Sequence, residues 1–212
     1  MAKALQIIAI LSFIITIILF FIFIPFMPTI FPFLNNLFNF SEDTKSITWI
    51  ISYYASYFMA FIYPILMIVV SLGFIIIGRK SDNKFLKVSY IILIMQVINI
   101  FLLLLLLVVK PSIGINISNY VSLLANLILF ILLGIGIIKS KNKFGKLAVI
   151  LGISLIIAML LQVGIRLLNT GYTPFLVLAS YYISYILGIW NYIIFPVLST
   201  ILLFKASKKI SN

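Results

Sequence analysis

Six long apolar runs decide what surroundings this chain can fold in. They are Leu5–Ile24, Thr48–Ile77, Val88–Val109, Tyr120–Ile138, Leu147–Leu168 and Phe175–Phe204. A helix rises about 1.5 Å per residue and the hydrocarbon core of a bilayer is about 30 Å thick, so about 20 apolar residues cross it. The runs are too long and too evenly apolar for strands; a membrane β-barrel would show shorter, alternating segments. A soluble domain carries about 25% charged residues, whereas this chain of 212 residues carries 8%, with 65% hydrophobic. No water-soluble core of this size hides that much Ile, Leu and Phe. The expected fold is all-α: a polytopic membrane helical bundle, one transmembrane domain over residues 1–212, with the lipid bilayer as its immediate partner. The first run exceeds the roughly 7–15 residues of a signal-peptide core and no small-residue cleavage site follows it. It is expected to remain as the first span.

Charge then orients the runs. Lys3, Arg79, Lys80, Lys84, Lys87, Lys139, Lys141, Lys143, Lys146, Lys205, Lys208 and Lys209 fall at one set of run ends. Lys45, Lys110 and Arg166 fall at the other, beside Glu42 and Asp43. Twelve against three is the asymmetry that places basic loops in the cytoplasm. The expectation is a plasma-membrane protein with both termini cytoplasmic. The net charge of +12 does not point to nucleic acid, because the cations punctuate apolar runs and form no continuous stripe.

The basic loops also repeat. Residues 80–87 read KSDNKFLK and residues 139–146 read KSKNKFGK, identical at six of eight positions and 59 residues apart. Lys3, Lys87 and Lys146 each open a run, and Pro25, Pro111 and Pro174 mark the outer loops. SYYASY (52–57), SNYVSL (118–123) and SYYISY (180–185) open the returning runs. The pattern reads as three tandem helical hairpins. It reads equally as the ordinary dressing of six spans, with lysine at one interface and tyrosine at the other.

Within the returning runs, small residues recur every four positions: Ser52, Ser56 and Ala60; Ser118 and Ser122; Ser180, Ser184 and Gly188. Residues four apart share a helix face, and small faces let backbones approach closely in lipid, where packing must supply the association energy. The stretch 25–47 is too polar to span and rich in Phe, which suits a segment lying in the outer interface. Pro64 and Pro196 interrupt the two longest runs and are expected to kink them.

Polar groups inside a span are the candidate functional residues. Asn99, Asn126 and Asn191 lie twelve, thirteen and fourteen residues from Lys87, Lys139 and Lys205, which is mid-span. Gln96 and Gln162 lie on the third and fifth runs. Such amides either bind a solute or join helices, the latter worth about 0.6 kcal/mol per contact. Arg166 reads as a charge reaching from a span end to the headgroups.

The chain holds no Cys or His and only three acids, Glu42, Asp43 and Asp82. No thiolate or imidazole is available as nucleophile, base or metal ligand, no paired carboxylate or phosphate-binding glycine loop occurs, and no span carries a carboxylate for proton relay. The sequence therefore leads us to expect a non-enzymatic membrane protein without a cofactor. It is expected to be a structural or accessory subunit packed against other membrane-protein subunits or its own copies. The alternative is a solute-binding or translocating subunit that uses the mid-span amides.

Overall fold

The computed structural model describes the backbone of residues 1–23, 42–109, 115–168, 183 and 186–211. It describes the side chains of 1–21, 61–101, 126–165, 183 and 186–209. Among the described residues every regular element is helical. The helices are α1 (Ala2–Phe23), α2 (Glu42–Ser81), α3 (Ser89–Val109), α4 (Ile115–Lys139), α5 (Lys146–Leu168) and α6 (Phe195–Ser211). A 3₁₀ turn, Leu86–Val88, leads into α3, a one-turn helix, Lys141–Phe144, leads towards α5, and a π-helical segment, Trp190–Ile194, leads into α6. Four helical stretches are long and apolar enough to cross a membrane: Ala2–Phe21, Phe61–Ser81, Lys146–Ile165 and Ile186–Lys209. Leu86–Phe101 and Asn126–Lys139 are shorter apolar stretches.

One helix boundary departs clearly from the sequence reading. Helix α2 begins at Glu42 and runs for 40 residues, so 42–47, the last part of the stretch 25–47, is helical. Glu42 and Asp43 then occupy its first turn and Arg79 and Lys80 its last, the arrangement the helix macrodipole favours. Pro64 lies inside α2 without ending it. The buried Leu66, Met67, Val70 and Phe74 that follow it hold the C-terminal half in place. Pro196 does mark an irregularity: the turn before it widens, and the Phe195 N–H donates to the Trp190 carbonyl five residues back. A proline cannot donate to the carbonyl four residues before it and crowds that carbonyl, and a π turn is one way a helix absorbs the mismatch.

The helices pack as antiparallel neighbours. Helix α1 lies between α2 and α6, α3 returns along α2, and α5 returns along α4. Levels are fixed by two contacts. Ser12 of α1 meets Thr200 of α6, and Gly73 of α2 sits against Leu203 and Ile8. The pairs α2–α3 and α4–α5, each closed by one of the repeated octapeptides, pack at least as intimately as α1–α2. Among the described residues the proposed tandem hairpin is thus not a separate unit of packing.

The core runs along these seams, through Leu5, Leu66, Met67, Phe74, Leu133 and Phe195, all buried. The outward faces of α1, α3 and α5 carry exposed Phe13, Phe21, Ile94, Phe101, Ile150 and Leu160.

Candidate functional site in the helix seams

Three kinds of position interrupt the apolar packing: glycines where backbones touch, hydroxyls that pair across a seam, and amides.

The glycines permit the closest approaches. Between α4 and α5, a Cβ added to Gly134 would lie 2.9 Å from the Gly152 carbonyl oxygen, and one added to Gly152 would lie 2.6 Å from the Gly134 oxygen. Neither site admits a side chain without moving a backbone. Gly136 has the same role against the first octapeptide, its hydrogen facing Leu86 N and Phe85 at 2.9 Å from a would-be Cβ.

The hydroxyls line the α1–α6 seam. Ser12 Oγ and Thr200 Oγ1 share a buried hydrogen bond of 2.8 Å, and the Thr16 hydroxyl donates to the Ser12 carbonyl at 2.7 Å. Ser199 is fully buried and its Oγ meets no partner among the described residues. None of these four was singled out from the sequence. A Ser and a Thr four residues apart in the first run were visible, but their partner lies 188 residues away.

The amides do not converge. Gln96 is buried, 7% exposed. Asn99, one residue short of a full turn further along α3, is exposed. Asn126 and Asn191 are half-buried, each with its side-chain oxygen out of reach of solvent and without a donor among the described residues. Gln162 and Gly188 are half-buried. Among the described residues no hydrogen bond joins any two of the five amides. The side chains of Ser52, Ser56, Ser118, Ser122, Ser180 and Ser184, and that of Arg166, lie outside the described residues.

Asn191 belongs to the π segment, where the richest set of side chains meets. Tyr192 packs edge-on against Tyr63 of α2 at 5.2 Å, so the two proline-bearing helices touch one residue before Pro64 and four before Pro196. Trp190 lies 5.3 Å from Phe195, and its Nε1 is buried without an acceptor among the described residues. One turn of helix therefore presents a buried donor and a buried acceptor that the described packing leaves unused.

The repeated octapeptides meet at the end of the bundle. Asn83 Nδ2 donates to the Gly136 carbonyl at 2.8 Å and to Ser140 Oγ at 3.2 Å. Asn83 Oδ1 accepts from the Phe85 and Leu86 N–H groups at 3.1 and 3.4 Å. Lys139 Nζ sits 4.1 Å from the centre of the Phe85 ring, a cation–π distance. Lys205 Nζ lies beside Gly145, which brings α6 to the second loop. The ends carrying the twelve basic residues are thereby drawn to one end of the molecule. Compared with protein-family models, characterised proteins and solved structures, the chain matches none.

Proposed function

We propose that the chain is a six-span integral membrane protein of the plasma membrane, without catalytic activity, that packs against other membrane proteins as a structural or accessory subunit. The four long apolar stretches supply four spans. Helices α3 and α4, 21 and 25 residues long, are the remaining two. The twelve-to-three distribution of basic residues supports placing both termini and both octapeptide loops in the cytoplasm.

Asn99 carries the reading of function. It is the eleventh of the 21 residues of α3 and it is exposed, next to exposed Val97, Ile98 and Phe101. An amide facing acyl chains leaves two donors and an acceptor unsatisfied, and interhelical pairing is the usual remedy in a bilayer. A further chain against α3 provides it. The test is co-purification in mild detergent, with wild type and Asn99→Leu compared. Retention of a stoichiometric partner by wild type and its loss from a variant of unchanged melting temperature is the expected result. A wild type that is monomeric and alone contradicts it.

A solute-binding role draws on a different observation, the unused oxygen of Asn191 beside the unused Nε1 of Trp190. Solute flux in liposomes holding only this protein, abolished by Asn191→Leu, would favour that reading instead.

A further inference from the structure

We propose that the basic end of the bundle is a binding surface for phosphate-bearing anionic lipid headgroups, assembled by the two octapeptide loops acting as one unit.

Twelve basic residues end up at this end of the molecule, and all are exposed. Asp82 is the only acidic side chain in the segments that form it. Its carboxylate faces Lys87 at 3.4 Å, with both side chains open to solvent. An exposed pair of this kind neutralises little.

The loops that carry the charge are fixed to each other. Asn83 ties the first loop to the end of α4, and Lys139 of the second loop lies over Phe85 of the first. Cations held at set spacing lose less freedom when they bind an anion than cations on independent loops do. Helix polarity adds a second reason. Lys3 and Lys146 stand in the first turns of α1 and α5, where the macrodipole disfavours a cation. An anion alongside removes that penalty and is attracted by the same helix ends. The apolar outer faces that begin just beyond, with Ile7 and Ile91 exposed, bring this end to the depth of the headgroups.

The test reconstitutes the full chain in equal amounts of phosphatidylcholine and phosphatidylglycerol, extracts it in mild detergent and measures retained lipid by native mass spectrometry. Phosphatidylglycerol should be retained over phosphatidylcholine. Each basic residue near a charged surface is worth about a fivefold change in occupancy. Lys84→Gln, Lys139→Gln and Lys205→Gln together should therefore abolish the preference. Removing Lys45, Lys110 and Arg166 should leave it unchanged. If the first triple variant melts early, the single variants Lys84→Gln and Lys139→Gln should each lower the ratio, about fivefold at low salt. Inorganic phosphate at matched ionic strength should not displace the lipid; displacement would assign the site to free phosphate and overturn the headgroup. Equal retention of the two lipids, or equal loss in both triple variants, overturns the proposal altogether.

Discussion

Asn83 and Asn142 occupy the same place in the repeated octapeptide, yet only Asn83 is drawn into the bundle. It is half-buried with all its hydrogen bonds made, whereas Asn142 is exposed. The two positions at which the repeat differs, 82/141 and 86/145, account for this. The second loop has Gly145 where the first has Leu86, and Gly145 takes φ 72° and ψ −155°, a region open essentially to glycine, so that a helical turn over Lys141–Phe144 closes the hairpin. The first loop lacks that glycine and turns earlier, at Asp82, φ 49°; acidic and amide residues tolerate this region better than most. The Asn83 N–H then bonds the Gly78 carbonyl at 3.0 Å, and its side chain is aimed at α4. Asn83→Ala loses one hydrogen bond to α4, one to Ser140 just past its end and two to its own turn. We expect it to destabilise the protein by about 1–3 kcal/mol, and Asn142→Ala to stay within about 0.5 kcal/mol. Thermal melts of both variants in one detergent check this; equal melting temperatures would show that the loops are not coupled.

Helices were the most legible elements, and their partners the least. Each apolar run carries its own evidence, because in lipid a chain must satisfy its backbone internally and a helix does so within one segment. The larger shifts lengthened a helix beyond its apolar run, at Glu42 of α2, Ile115 of α4 and Ser211 of α6. Pairing depends on contacts between distant segments. Ser12 and Thr200 are unremarkable until α1 and α6 are known to be adjacent. The small-residue faces legible in the sequence, at Ser52, Ser56, Ser118, Ser122, Ser180 and Ser184, have their side chains outside the described residues. The tight seam that is described uses Gly134 and Gly152, near the octapeptide end of the bundle. Spacing put Asn99, Asn126 and Asn191 in the middle of their runs but gave the facing of none of the five amides, and Asn99 is exposed where Gln96 is buried. The α4–α5 seam yields a direct test. Gly152→Leu must force two backbones apart, at a cost of about 1–3 kcal/mol for overpacking, whereas Ile150→Leu on the exposed face of the same helix should be silent. A Gly152→Leu variant that melts with wild type would show that the two helices do not approach as described.

At the scale of the whole molecule, hydrophobicity and charge say complementary things. A mean hydropathy of +1.33 requires a lipid environment, and the exposed Ile, Leu and Phe of α1, α3 and α5 are the surface such an environment would cover. The cations gathered at one end require an aqueous or headgroup boundary there. The proposed topology puts both octapeptide loops on one side of the membrane, the cytoplasmic side that an excess of lysine favours. The Cys-free chain permits a clean measurement. Single cysteines are placed at Lys84 and Asn142, both exposed, and at Asn39, in the stretch expected to lie on the opposite side. Intact cells are treated with a membrane-impermeant maleimide before and after permeabilisation. The account predicts labelling of Asn39→Cys in intact cells, and of Lys84→Cys and Asn142→Cys only after permeabilisation. Labelling of either octapeptide loop in intact cells, or of the two loops from opposite sides, would contradict it.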